Sequence, residues 1–299
     1  MRLTQLRDLM AIVERGSLRA AARHMDCPQP ALTRSIHALE RELGEPLFER
    51  AAKGMILTEA GRLFYQRSSS VLNELKRAQE EIAQRRGDMR GTVVAGLSIM
   101  PHLGLLPEVL PRFKALFPLM RLRIIEGLYP VVESGLRDGT IDFYIGVSPL
   151  AAPAAGLSTE LVCHNQRSIV GRREHPLRHK TSLADLADAE WGVTSINVNA
   201  EEDLQQLFLG HGLPAPNITL RTQSGMSIMI ALASTDLLAL LPTQWKSSPF
   251  TSDVLTAITV TEKLTAPDIV LIRRADLPMT PAAEHFCDLM RRCAESAQP

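Results

Sequence analysis

Gln29, Thr33, Arg34 and His37 recur one helical turn apart, so on a helix they share a surface. Their chemistry is hydrogen bonding to flat polar edges: glutamine pairs with an adenine edge, and arginine with guanine or a phosphate. A solvated helix face carries the same residue types, so the pattern gains meaning only from what positions it. No catalytic constellation competes with it. The chain has no GxSxG, no HExxH, no P-loop and no GxGxxG after a strand, which argues against an enzyme. His175 and His179 are four apart, but Pro176 between them works against a helical metal site. Cys27, Cys163, Cys287 and Cys293 form no CxxC pair and no cluster with histidine, and they read as reduced thiols. Neither a metal nor a cofactor is expected.

The elements around the four polar residues supply the missing context. Leu3, Leu6, Leu9, Met10 and Val13 make one apolar stripe on a first helix. Gly16 ends it and Ser17 can cap the next. Ala20, Ala21 and Ala22 give a second, short helix a thin face that another helix can approach. Asp26 and Cys27 make a turn, and Pro28 suits a helix start, where its missing N–H would have no partner. A third helix runs Gln29 to Leu43, with Ile36, Leu39 and Leu43 on its inner face. Two short helices across a tight turn are a helix-turn-helix. Arg50 to Thr58 then reads as a two-stranded wing with basic Arg50 and Lys53 near its tip. Residues 1–90 hold sixteen Lys and Arg against twelve Asp and Glu, and the rest seventeen against twenty-one. The zero net charge therefore hides a basic head, suited to an anionic polymer.

From Thr58 to about Arg86 the pattern is helical. Phe64, Ser68, Val71, Leu75, Ala78 and Ile82 alternate four and three apart as a heptad seam. The outer positions include Arg67, Glu74, Lys76, Arg77, Glu80 and Glu81. So narrow a stripe must be buried, against the chain's own body or against a second copy. Gly87 and Gly91 read as a hinge. Beyond it, strand-like runs at Val93–Leu97, Leu122–Ile125 and Asp142–Val147 alternate with helical ones. A second set begins with Leu161–Val170 and Trp191–Thr194. The alternation predicts mostly parallel sheets in two α/β lobes.

Ligands of such sheets bind beyond the carboxyl ends of strands. That rule selects Ser98, Ile99 and Met100; Leu128 and Tyr129; Gly146 and Val147; Thr194, Ser195 and Asn197; and Ser224 and Met226. No arginine stands in these loops, so the charge of a ligand stays open between anionic and polyhydroxylated. At 299 residues the chain suits two or three domains. Arg2, Arg7 and Asp8 interrupt any leader-like run at the start, and no apolar stretch spans a membrane. A cytoplasmic protein is expected.

Five pieces in order, Gly16 to Ala22, Gln29 to Arg34, Leu39 to Gly44, Leu47 to Arg50 and Leu57 to Gly61, resemble the signature of LysR-type transcriptional regulators. The body resembles that family more loosely, at Leu136 to Asp142 and at His175-Pro176-Leu177 followed by Leu183 to Leu186. Ser234 to Pro242, with Glu126 to Pro130, most resembles the branch holding regulators of aromatic sulfonate breakdown and sugar uptake. One departure is Pro28, where the family usually has serine. The resemblance implies an α/β protein with an all-α head: a winged helix-turn-helix over 1–58, a linker and dimerisation helix over 59–89, and a two-lobed effector-binding domain over 90–299, like periplasmic solute-binding proteins. Lobe I would take about 91–161 and 267–299, and lobe II about 162–266. It implies that Gln29, Pro30, Thr33 and Arg34 enter the major groove, with His37 on the same face, and that Arg50 and Lys53 reach the backbone or minor groove. The implied partners are double-stranded promoter DNA, a small organic effector, further copies of the chain as a dimer of dimers, and RNA polymerase. The alternative is a cytoplasmic solute receptor whose helical head does not bind DNA.

Overall fold

Apolar residues three and four apart on α1 (Leu3–Arg15) bring Leu6, Leu9 and Ile12 to one buried face. Two helices pack on it. The first is α2 (Leu18–His24), where Ser17 Oγ accepts from Ala20 N at 3.2 Å as an N-cap. The second is α3 (Gln29–Leu43), entered at Pro28. Ala21 and Ala22 are buried against Leu32, Ile36 and Leu39 in one cluster. Leu43, expected inside, is 39% exposed, because the last turn of α3 runs past the core.

The wing is β1 (Phe48–Ala51) antiparallel to β2 (Gly54–Leu57), with Arg50 opposite Met55. It is tied down at two points. Glu40 Oε1 accepts from Leu47 N at 2.9 Å, and Met55 N donates to Gly16 O at 3.2 Å. Gly54 has φ 125°, and a Cβ added there would stand 2.5 Å from Gly16 O, so only glycine lets the wing lie this close to the turn after α1.

Thr58 caps α4 (Glu59–Arg85), its Oγ1 accepting from Gly61 N at 2.9 Å. The expected seam is split. Val71 and Ile82 are 52% and 54% exposed, Ala78 is exposed and Leu75 half-buried. Phe64 is not part of that open stripe. It packs against the core of the head, which claims the first turns of α4 before any partner could.

The structure, a computed structural model, describes residues 1–51, 54–194 and 199–296. The head and α4 form one compact unit together with Ser134–Ile141 and Met279–Pro281. Most of the remaining chain forms a second unit. It continues through β3 (Gly91–Leu97), α5 (Ile99–Gly104), α6 (Leu106–Leu116), β4 (Met120–Glu126), α7 (Tyr129–Asp138), β5 (Phe143–Val147) and β6 (Leu157–Cys163). Then follow β7 (Arg167–Arg172), β8 (Glu190–Thr194), α8 (Asn199–Gly210), β9 (Asn217–Thr222), α9 (Gly225–Ser234), β10 (Ala239–Pro242), α10 (Gln244–Ser247) and β11 (Leu255–Ile258). The chain returns through β12 (Ile269–Arg274) and α11 (Pro281–Ser296).

The first lobe's sheet has the order β4-β3-β5-β12-β6. β3 is parallel to β4 and β5, but β12 is antiparallel to both its neighbours, so the sheet is mixed rather than mostly parallel. Phe286 of α11 packs between Phe113 and Phe143, with ring centroids 5.2 and 5.7 Å away. The buried Asp142 prolongs the β3–β5 pairing with its side chain, Oδ2 accepting from Val94 N at 2.6 Å. The second lobe has an antiparallel sheet β10-β7-β11 and a parallel pair β8-β9, with Trp191 edge-on to Phe208 at 5.4 Å. The run Leu161–Val170, expected to start the second lobe, is two strands. β6 closes the first sheet, and only β7 belongs to the second. His175 is buried in that lobe: Leu177 N donates to its Nδ1 at 3.0 Å, so Nε2 carries the proton toward Asp236 O at 2.9 Å.

Arg77, placed on the outside of α4 by the heptad pattern, is buried instead. Its Nη2 donates to Gly139 O at 2.7 Å and to Ile141 O at 3.2 Å, while Asn73 Nδ2 donates to Asp138 O at 2.9 Å. These three carbonyls end or follow α7, where the helix leaves acceptors open and the dipole favours a cation.

Candidate nucleic-acid interface and ligand cleft

α3 holds its inner residues in the head core, which turns Gln29, Pro30, Arg34 and His37 outward, all exposed. Gln29 and Pro30 occupy the first turn. Arg34 has no carboxylate within ion-pair distance among the described residues, so its guanidinium is open to a partner. Thr33 is half-buried, and its Oγ1 donates to Gln29 O at 3.1 Å, which commits the hydroxyl proton within the helix. His37 Nδ1 lies 3.1 Å from Glu40 Oε2, and Glu40 holds the start of the wing with its other oxygen. One carboxylate thus connects the outer face of α3 to the wing. Arg50 stands on β1. Lys53 lies outside the described residues.

The second unit contains a cleft of about 980 Å³. Ser98, Ile99, Met100, Leu128, Tyr129, Val147 and Thr194 line it. Ser98 is 2% exposed; it lies against the Tyr144 hydroxyl, and its Oγ makes no hydrogen bond of standard geometry. Tyr129 OH accepts from Ala154 N at 3.1 Å, which pins the start of α7 at the cleft wall. Three expected residues lie elsewhere. Gly146 is buried under the wall, where an added Cβ would run into the Tyr144 hydroxyl and Ser98 Cβ; the glycine makes room for those side chains. Ser224 is spent as the N-cap of α9, accepting from Ser227 N, and Met226 is 61% exposed outside the cleft. Ser195 and Asn197 lie outside the described residues.

The cleft also has charged residues that the strand-end rule passed over: Glu126, Glu133, Arg167, Asp203 and Lys263. Arg167 corrects the expectation that no arginine is at hand. Its side chain is 17% exposed and its two terminal nitrogens both sit 3.4 Å from Asp203 Oδ2, long for a charge-assisted pair. It was missed because the rule assumes parallel strands. β7 is antiparallel to β10, with Arg167 opposite Pro242, so the beginning of β7 faces the cleft beside the end of β10. Lys263 reaches the cleft on the segment ahead of β12, which is likewise antiparallel to its neighbour. Across the cleft, Glu126 Oε1 accepts from Gly225 N at 3.3 Å, joining the end of β4 to the start of α9. Among the described residues no three His, Cys, Asp or Glu side chains gather as a metal site, and no helix is long and apolar enough to cross a membrane.

Known proteins share this arrangement. Residues 3–62 match the family described as bacterial regulatory helix-turn-helix protein, lysR family, and residues 86–294 match the LysR substrate binding domain. The HTH-type transcriptional regulator GalR of Pseudomonas putida is 27% identical over 280 residues, 93% of this chain and 70% of that protein. TdcA of Escherichia coli, also an HTH-type transcriptional regulator, is 24% identical over 94% of this chain and 89% of its own length. Among solved structures, full-length CbnR complexed with its target DNA superposes with a TM-score of 0.71 at 21% identity, covering 98% of this chain and 100% of that one.

Proposed function

The chain belongs to the lysR family, as a DNA-binding transcriptional regulator with an effector-binding domain, and from that premise we propose that Gln29, Pro30, Thr33, Arg34 and His37 on α3 face the major groove while the cleft of the second unit takes the effector. Arg50 and Lys53 on the wing are assigned to the phosphate backbone or minor groove. The open guanidinium of Arg34 supports the first assignment, and the complex of CbnR with its target DNA is the structural precedent for the fold.

The effector is a small organic molecule with an anionic group and an apolar body. The observation that carries this is Arg167, largely buried in the cleft and held, among the described residues, by a long contact to Asp203. A ligand carboxylate would give the planar guanidinium the short paired contact it lacks. Ile99, Met100, Leu204 and Leu207 offer an apolar wall, and the Ser98 hydroxyl is a further polar group for the ligand. The regulator responds only insofar as the ligand binds one lobe arrangement better than another.

Two exposed apolar residues on α4, Val71 and Ile82, support pairing with a second copy, and two such dimers would make the homotetramer. Work on promoter DNA beside RNA polymerase fits a cytoplasmic protein.

A thermal-shift screen of small carboxylic acids, each paired with its amide, tests the effector reading. It expects stabilisation by an acid, no stabilisation by its amide, and loss of the shift in Arg167→Gln. A crystal of a hit lying outside the cleft, or an acid and its amide acting alike, would overturn it.

A further inference from the structure

Asn165 and Arg167 stand two residues apart at the start of β7, and both line the cleft. Asn165 is 9% exposed, and its Oδ1 accepts from Gln166 N at 3.0 Å, which leaves Nδ2 with no acceptor among the described residues. Arg167 is paired below its capacity. Both terminal nitrogens lie 3.4 Å from the same Oδ2 of Asp203, whereas a matched guanidinium and carboxylate make two parallel bonds, one to each oxygen. Asp203 therefore keeps Oδ1 unspent. It stands on α8 one turn before Leu207, which lines the same cleft, and residues four apart on a helix are neighbours. The start of β7 thus offers donors for a carboxylate. α8 offers an acceptor for a cation, with an apolar surface one turn on.

A ligand carboxylate that takes Arg167 deprives Asp203 of its partner and stands beside it as a like charge. Among the described residues three carboxylates line the cleft, Glu126, Glu133 and Asp203, against two cations, Arg167 and Lys263. An anion without a counter-charge would deepen that imbalance, in a site partly walled from water where charges are weakly screened. A cationic group next to the ligand's own carboxylate removes both costs. It gives Asp203 a new partner and brings no net charge. An α-ammonium is the compact group of that kind, attached one carbon from the carboxylate.

We propose that the effector is an α-amino acid with an apolar side chain. Arg167 and Asn165 take its carboxylate, Asp203 exchanges the arginine for its ammonium, and the side chain lies along α8 against Leu207. This rests on the cleft being a carboxylate site and adds to it a required amine.

The test uses the full chain and calorimetry with L-alanine, L-valine, L-leucine, L-isoleucine, L-methionine, L-phenylalanine and L-tryptophan. Each is compared with the acid of the same skeleton lacking the amine and with its own amide. At least one amino acid should bind, its deaminated acid being about tenfold or more weaker, because a hydrogen-bonded charge is lost. In Asp203→Asn that preference should disappear: the amino acid loses about tenfold, while the deaminated acid binds better than to wild type, since no carboxylate competes for Arg167. Arg167→Gln should lose both. A deaminated acid that binds wild type as tightly as its amino acid would overturn the ammonium site and leave the carboxylate site standing. So would an Asp203→Asn variant that weakens both ligands alike or neither. Amides that bind as well as the amino acids would overturn the carboxylate site itself. Binding by none of these compounds overturns an apolar amino acid as the effector, and the wider screen of acids then decides the carboxylate site separately. The wild-type comparison needs no variant, so it decides even where Asp203→Asn fails to fold.

Discussion

Arg77 on α4 holds Gly139 O at 2.7 Å with a guanidinium that is almost wholly buried. The same nitrogen reaches Ile141 O, and Asn73 takes Asp138 O one turn earlier. A buried hydrogen bond from a charged group contributes about 1.5–3 kcal/mol. Arg77→Ala should therefore lower stability by about that amount in urea titration, and protease sensitivity should rise around residues 138–141. Arg77→Lys should recover only part of the loss, because one ammonium does not match the planar fork. A variant as stable as wild type would show that the carbonyls find water at no cost.

For DNA reading, Arg34→Ala and Gln29→Ala should each cost about 1–3 kcal/mol against the preferred duplex, roughly tenfold to a hundredfold in affinity. Thr33→Val should be nearly neutral in comparison, since the hydroxyl already donates to Gln29 O. Gel-shift titrations of the three variants check this, and a larger loss in Thr33→Val than in Arg34→Ala would move the reading face.

On α4, position matters more than hydrophobicity. If α4 pairs with a second copy as proposed, Val71→Lys with Ile82→Lys should shrink the particle seen by light scattering, because each charge would enter that contact. The monomer fold should hold, both sites being about half exposed. Phe64→Ala should do the reverse: it opens the head core and lowers the melting temperature, with oligomer size kept.

Alkaline pH should weaken the second unit. Burial and the charge of Asp268 push the Cys163 thiol up from 9.0 to about 11, and burial with Glu108 pushes Cys293 from 9.0 to about 11. Both raise the folded-state value, so the stability they contribute is complete below pH 9 and is lost as pH rises toward 11, where only the unfolded chain has shed its protons. Urea midpoints across that window should fall for wild type and fall less for Cys163→Ala/Cys293→Ala. Equal slopes would remove the thiols from the explanation.

The head was legible from sequence because its signals are local. The stripe of α1, the Ser17 cap and the Pro28 start each lie within a few residues of the feature they specify. The second unit was less legible because strand partners are set at long range. Nothing near Leu161–Val170 says that its first half pairs with residues about 110 positions later. Arg167 was missed for the same reason: which end of a strand faces a cleft depends on neighbour direction, and β7 runs opposite to β10. Arg77 was misplaced because a heptad has one inner face, whereas α4 also buries a second one that holds this arginine.

β12 has a consequence for the order of events during synthesis. It lies between β5 and β6, yet it leaves the ribosome about a hundred residues after them. Until residues 269–274 emerge, the nascent first lobe carries two unsatisfied strand edges, while everything from β7 to β11 is already available to pair with itself. The second lobe can therefore finish first, as an insert within an incomplete neighbour. A premature stop between β11 and β12 would release not a shortened sensor but a folded second lobe attached to a first lobe with open, aggregation-prone edges.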